Sequence, residues 1–256
     1  MVSLSRAVHY LLVSAGIAAL TLAGQSGSAT AALPGPATTD EVAAVTPSAG
    51  QTVGVGMPVT VTFTHPVADR AAAEQAIAFS SPKAPHGTFS WPDDSTMVFT
   101  PQQDGYWPAH SNIGVSLDGF KTNFGTGTAT LGVASISAHT FTVSVDGVVQ
   151  RTMPASMGKP KHPTPVGSFT ALEKDNPIIM DSRTIGIPLN SPEGYRLTVY
   201  WSVRVTWGGV FVHAAPWSVA QQGNSNVSHG CINLSTSNAE WYYNLVNLGD
   251  PIIING

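Results

Sequence analysis

The sequence predicts a mainly β protein, in which a β-sandwich precedes a second β-rich domain with one principal helix. Three observations carry this. Short runs in which β-branched or aromatic residues alternate with threonine and serine recur through most of the chain, the pattern of half-buried strands. Turn-forming clusters such as Pro92-Asp93-Asp94 and Gln103-Asp104-Gly105 separate them. One late segment combines a helix start signal, an apolar face and a stop.

In chain order, Arg6 leads into an apolar stretch from Leu11 to Leu22, and Ala29-Thr30-Ala31 fits the A-x-A cleavage pattern. Residues 1–31 therefore read as an export signal. The run is about 12 residues, against the ~20 a spanning helix needs, which favours cleavage over an uncleaved anchor. Residues 32–45 are Pro- and Ala-rich and read as a linker. The sandwich is expected over 46–127. Val59, Val61 and Phe63 alternate with Thr60, Thr62 and Thr64, and further strands are expected in AIAFSS, GTFSW, TMVFTP and NIGVSL. Ala68 to Ile77 reads as a short helix. The polar, Gly/Thr-rich stretch 121–132 marks a boundary near Thr128, so the second domain spans 128–256.

That domain opens on a strong hairpin signal. Phe141, Val143 and Val145 alternate with threonine and serine, and Asp146-Gly147 is a favoured tight turn before Val148 resumes the strand. Strands are expected at GSFTAL, YRLTVYWSVRVTW and GVFVHA. Ser237-Asn238-Ala239-Glu240 reads as a capping box, with Ala239, Tyr242, Leu245 and Val246 on one face and Gly249 as the stop. A strand from Pro251 to Ile254 closes the chain.

Composition narrows the function. Hydrophobic residues make up 43% and charged residues 10%, with a net charge of −4. Loss of Arg6 with the signal leaves 10 basic and 15 acidic side chains, a charge of −5. There is no basic cluster, which argues against a nucleic-acid partner. No second apolar run is long enough to span a membrane, and no phosphate-binding Gly loop is present.

The chain contains a single cysteine, Cys231, in the string SHGCIN. An exported protein with one cysteine has no internal disulfide, so the thiol is a passive core residue, an intermolecular link or a nucleophile. Its company favours the last. His229 lies two positions away and His213 ends the strand-like GVFVH. His213, at the end of that strand-like segment, is placed to face the thiol from across the loop and is read as the base. Gly230 permits backbone geometry closed to other residues, so the N–H groups of His229, Gly230 and Cys231 are expected to converge on an oxyanion. A zinc site of His213, His229 and Cys231 is the alternative, but no second cysteine and no H-E-x-x-H accompanies it. The other histidines read as surface or structural, and Lys159, Lys161 and His162 as a solvated basic loop.

The string from His213 through Ser228-His229-Gly230-Cys231-Ile232-Asn233 resembles the signature of the L,D-transpeptidases, over roughly residues 129–254. The front domain, through TPSAGQTVGVGMPVTVTF and YWPAHSN, resembles the Ig-like domain of the exported mycobacterial type. The resemblance implies that Cys231 is the nucleophile and His213 the general base, oriented by the backbone carbonyl of Ala214. His229 and Gly230 would shape the oxyanion site, Ser228 would brace that loop, and Asn233 would contact substrate. The segment IIMDSRTIGIPLNSPEGY resembles the family's lid. Met180 and Tyr195 would line the channel and Trp217 would wall it, with Gly208 and Gly209 on a strand edge that contacts substrate backbone. Ile185 stands where relatives often carry tyrosine, and Gly208 where they often carry serine.

The implied reaction is acyl transfer on peptidoglycan. A tetrapeptide stem loses its terminal D-alanine to form a thioester, and an amine of a second stem resolves it to a 3→3 cross-link. The implied partners are donor and acceptor tetrapeptide stems, with β-lactams of the carbapenem type as covalent inhibitors. No metal, nucleotide or redox cofactor is implied. The rival readings are an L,D-carboxypeptidase, in which water resolves the thioester, and a non-catalytic wall-binding protein. The implied location is outside the membrane, associated with the cell wall.

Overall fold

The computed structural model describes residues 41–256. The expected signal segment and most of the expected linker lie outside that range. The strand Val42–Thr46 shows that the linker reading to residue 45 runs too far, because Val42 and Val45 pack against the first core.

The first half contains eight strands: β1 (Val42–Thr46), β2 (Thr52–Val53), β3 (Val59–Phe63), β4 (Ala78–Ser80), β5 (Gly87–Ser90), β6 (Thr96–Pro101), β7 (Asn112–Leu117) and β8 (Phe120–Thr126). One sheet has the order β1-β3-β6-β5 and the other β2-β8-β7-β4. The alternation in β3 is literal: Val59, Val61 and Phe63 are buried and the two threonines between them are not. Together with Met97, Phe99, Ile113, Val115 and Phe124 they form a core from both sheets around Trp107. Helix α1 (Arg70–Ala76) is capped by Asp69, whose carboxylate accepts from the Ala72 N–H at 3.0 Å.

The boundary expected near Thr128 falls in the short link between the two halves, although most of the stretch 121–132 is strand. β8 pairs with β7 along its length, and β9 (Thr130–Ser135) starts four residues after β8 ends. Its glycines and threonines face partners that need small residues. An added Cβ on Gly132 would run into the Phe141 ring.

The second half opens with β9, β10 (Thr140–Val145) and β11 (Val148–Pro154). Asp146 and Gly147 both have positive φ, 48° and 80°, which gives the tight turn of the expected hairpin. Then come β12 (Gly167–Thr170), β13 (Glu173–Asp175), β14 (Ile178–Asp181), β15 (Arg196–Val199), β16 (Ser202–Arg204), β17 (Phe211–Ala214), β18 (Ile232–Leu234), α2 (Thr236–Leu245) and β19 (Pro251–Asn255). A five-stranded sheet, β11-β10-β9-β19-β12, faces a four-stranded sheet, β13-β16-β17-β18, while β14 and β15 form a separate ribbon.

Two local expectations change. The run YRLTVYWSVRVTW is two strands, because Trp201 takes φ 55° between β15 and β16. Helix α2 starts two residues earlier than the Ser237 capping box implies. Ser235 is the N-cap and accepts from the Asn238 N–H at 3.4 Å, and extended geometry at Val246, not Gly249, ends the helix. Ala239, Tyr242 and Val246 are buried as expected, and Tyr242 meets Phe141 edge-on at 4.9 Å.

The halves meet by backbone contact. The Gly54 N–H donates to the Leu248 carbonyl at 2.7 Å and the Gly56 N–H to the Gly249 carbonyl at 2.9 Å. Glycine is required at 54 because a Cβ would overlap the Asp250 backbone. The Asp146 carboxylate accepts from the Ala129 N–H at 2.8 Å and lies 3.0 Å from His110 Nε2.

Candidate active site

Strands β17 and β18 run parallel and in register, with Val212 opposite Ile232 and His213 opposite Asn233. This pairing places the end of GVFVH beside the start of the strand that follows Cys231. A cavity of about 260 Å³ opens there, lined by His213, Cys231, Asn233, Ser228, His229, Met180, Tyr195 and Trp217, with Leu197, Val199 and Val227. Nine of the twelve residues singled out from sequence line this cavity or form its turn: His213, Cys231, Asn233, Ser228, His229, Met180, Tyr195, Trp217 and Gly230.

His213 is 3% exposed, and its Nδ1 lies 2.8 Å from the Ala214 carbonyl oxygen. That bond makes Nδ1–H the donor and leaves Nε2 as the acceptor. Burial pushes the ring down to about 4, opposed by the bond to Ala214. Burial likewise pushes the Cys231 thiol up to about 11, while the Phe211 backbone opposes the shift. At neutral pH both are therefore uncharged. The thiol donates to the Gly209 carbonyl at 3.6 Å.

The turn before Cys231 is braced from inside. Gly230 has φ +120°, a conformation that suits glycine. The Ser228 hydroxyl donates to the Cys231 carbonyl at 2.7 Å and accepts from the Gly230 N–H at 3.0 Å. The Thr164 hydroxyl donates to the Gly230 carbonyl at 2.8 Å. One expectation is thereby corrected. The Gly230 N–H is already spent on Ser228, so the convergent trio of donors reduces to His229 and Cys231.

Asn233 is 3% exposed. Its Nδ2 donates to the Ser218 hydroxyl at 3.1 Å, and that hydroxyl donates on to the Ala215 carbonyl at 3.3 Å. The amide orientation is thus fixed, and its buried Oδ1 has no partner. Trp217 is 53% exposed, with its ring 6.0 Å from that of His213.

Residues 182–195 connect β14 to β15, and Tyr195 at the end of this segment lines the cavity. Tyr195 is half-buried, its ring 5.1 Å from His229. Its hydroxyl is pushed up to about 12, first by burial and then by the charges of Cys231 and Asp181. A second cavity of about 210 Å³ shares Met180 and Tyr195 with the first and continues past Ile185, Arg204 and Trp207. Gly208 and Gly209 line this second cavity. They sit in a turn between β16 and β17, not on a strand edge, because Gly209 takes φ +96°.

Sequence reasoning missed one group. The loop read as solvated, Lys159 to His162, converges on Glu193. Lys159 Nζ lies 2.7 Å from Glu193 Oε1, Lys161 Nζ 2.7 Å from Oε2, and His162 Nε2 3.1 Å from Oε2. Lys159 also donates to His229 Nε2 at 3.3 Å. Burial, then the Lys159 charge, holds His229 below its ordinary value, and its Nε2 lone pair is occupied. His229 is therefore unsuited to act as the base. His162, Glu193 and His229 offer donor atoms within 4.8 Å of one another, but two ammonium groups on the carboxylate oppose a divalent cation there. No signal in the chain's local pattern links residues 159–162 to 193, since the pairing is purely tertiary.

A half-buried cysteine on a braced turn, sharing a cavity with a buried neutral histidine, defines the class of cysteine acyl-transfer enzymes. Comparison with known proteins narrows this. Residues 129–254 match the L,D-transpeptidase catalytic domain and residues 17–121 a bacterial Ig domain. L,D-transpeptidase 1 of Mycobacterium tuberculosis is 53% identical over 98% of this chain and 99% of its own. An L,D-transpeptidase structure from Mycobacterium smegmatis superposes with TM-score 0.80 at 62% identity, covering 84% of this chain and 99% of that one. L,D-transpeptidase 3 of M. tuberculosis, solved with a faropenem-derived adduct, gives TM-score 0.78 at 48% identity over 84% and 98%. The chain belongs to the L,D-transpeptidase family and is a cysteine-dependent enzyme of that family.

Proposed function

We propose that the protein forms 3→3 cross-links between peptidoglycan stem peptides, outside the membrane, through a thioester on Cys231. The observation that carries this reading is the His213–Ala214 bond, which leaves Nε2 with its lone pair free on a ring that lines the same cavity as the only thiol. Among the described residues no helix is long and apolar enough to cross a membrane.

In the reaction, the Cys231 side chain turns from Gly209 toward His213. Nε2 takes the thiol proton as sulfur attacks the carbonyl of the third stem residue. The N–H groups of His229 and Cys231 donate to the developing oxyanion. The C–N bond breaks, His213 gives its proton to the departing amine, and D-alanine leaves. A second stem then offers its side-chain amine to the thioester, His213 takes the proton, and the thiol is restored. Asn233 Oδ1, buried and unpartnered, is placed to accept an N–H of the substrate. The two cavities that share Met180 and Tyr195 give donor and acceptor separate approaches. The new amide replaces the old one, so the exchange needs no external energy source.

β-Lactams of the carbapenem and penem type are proposed to acylate the same sulfur, as the adduct on the relative suggests. The test is incubation with a purified disaccharide-tetrapeptide and mass analysis of the products. A dimer with loss of one D-alanine per link supports the reading. A tripeptide alone identifies a carboxypeptidase, and no product sinks both.

A further inference from the structure

We propose that Lys159, Lys161 and His162 form a carboxylate-binding subsite for the stem peptide, and that Glu193 of the lid fills it until the substrate replaces it. This deepens the proposed function and rests on it.

The geometry is that of a built carboxylate site. Two ammonium groups and an imidazole from one four-residue loop approach both oxygens of a single carboxylate at 2.7, 2.7 and 3.1 Å. The loop is fixed to the nucleophile turn and not to the lid. The Lys159 N–H donates to the Ser228 carbonyl at 3.1 Å, and Gly158 bridges to Ser228. The occupant, by contrast, belongs to the segment between β14 and β15, two residues before Tyr195, which lines the Cys231 cavity. The site is thus part of the frame and the carboxylate part of the cover.

The site also touches the catalytic turn. His229 packs against His162 at 5.0 Å and Tyr195 at 5.1 Å, and it accepts from Lys159. A peptide entering between lid and turn passes this point. Two ammonium groups face one carboxylate, so a positive charge remains when Glu193 is in place. The Glu193 side chain is 24% exposed and Lys161 is 70% exposed, so water and a competing carboxylate reach the pair. An exchange of one carboxylate for another conserves the ion pairs, so lid release and substrate capture oppose each other little in free energy. The terminal residue of a tetrapeptide carries a free carboxylate only a few bonds from the scissile amide, and the diamino residue carries a second.

The experiment uses the full chain carrying Cys231→Ala, which binds without turnover, and measures Kd by calorimetry. The probes are a tetrapeptide stem, the same stem with a C-terminal amide, and the same stem with the diamino-residue carboxylate amidated. One of the two amides is expected to bind roughly tenfold more weakly than the parent, which identifies the carboxylate used. Adding Glu193→Gln is expected to tighten the parent peptide several-fold and leave that amide unchanged. Adding Lys161→Met is expected to weaken the parent and leave that amide unchanged. Equal binding of all three peptides, no measurable binding, or variant effects that are the same for parent and amide would overturn the proposal and leave Glu193 a lid fastening only. Turnover by the unsubstituted enzyme, measured in parallel, reports on the transpeptidase reading separately.

Discussion

The turn that carries the nucleophile and the lid beside it are tied to their surroundings by different kinds of force. The turn, residues 228–233, is fixed by short hydrogen bonds among uncharged groups: Ser228 to Cys231, Gly230 to Ser228, Thr164 to Gly230, and Asn233 to Ser218. The lid, residues 182–195, is tied at its base by neutral hydrogen bonds of the buried Ser182 to Ile187 and Tyr195, and its side-chain links to its surroundings are ionic. Asp181 binds Arg183 and lies 3.8 Å from Arg196 at its root, and Glu193 binds the 159–162 loop at its far end. Buried neutral bonds fix a geometry permanently, because breaking one strands a polar group away from water. Ion pairs that water still reaches are weakened by salt, so they close a segment without locking it. An acyl-transfer site needs both: an oxyanion site that does not move and a cover that does.

The largest expected effects fall on the chemistry of the turn. Cys231→Ala abolishes cross-linking and any covalent β-lactam adduct while leaving the circular dichroism spectrum unchanged. Residual turnover would end the nucleophile assignment. His213→Gln lowers the acylation rate by about 10²–10⁴-fold, measured by stopped-flow quenching with a carbapenem.

Next comes the brace. Ser228→Ala removes the donor to the Cys231 carbonyl and the acceptor for the Gly230 N–H. It is expected to destabilise the protein by about 1–3 kcal/mol. It should also reduce acylation, both read by urea unfolding and by kinetics. An unchanged rate with the lost stability would show that the turn holds its shape by other means.

The pH response separates the two regions further. Acylation is expected to rise through pH ~4, as His213 loses its proton, and then stay flat across neutral pH because the thiol ionises only near 11. The same ring contributes to acid stability, against an opposing contribution from Asp250, whose carboxyl burial raises to about 7. The ring's folded value is lowered from 6.5 to about 4, so the unfolded chain binds the proton first, and its contribution is lost as pH falls through that interval. His213→Gln should remove that contribution from the unfolding curve.

The smallest effects concern the lid. Raising salt from low to molar concentration should speed amide hydrogen exchange in residues 182–195 and leave residues 228–233 unaffected. Asp181→Asn should act like salt at the lid's root, with little change in thermal midpoint. Equal salt sensitivity in both segments would dissolve the contrast.

Much of this contrast is hidden in the chain's local pattern. The hairpin at Asp146-Gly147, the alternation of β3 and the apolar face of α2 were legible because each depends on neighbours in sequence. The stretch 121–132 marked the boundary near Thr128 but hid that most of it is strand, because its small residues pack against a partner strand and the Phe141 ring. The start of α2 misleads because Ser235 and Ser237 both offer a hydroxyl and only the path of β18 decides between them.

For the site, the sequence by itself singled out Cys231 and His213 and pointed to the family. A single thiol beside glycine and histidine has few chemical readings, and SHGCIN is a specific string. Tertiary structure alone decided three things. It took the Gly230 N–H out of the oxyanion site, left Asn233 Oδ1 without a partner, and joined Lys159, Lys161 and His162 to Glu193. The physical reason is common to all three. A hydrogen bond or ion pair is settled by which groups the fold brings within about 3 Å, and residues 159 and 193 become neighbours only after the strands between them have paired.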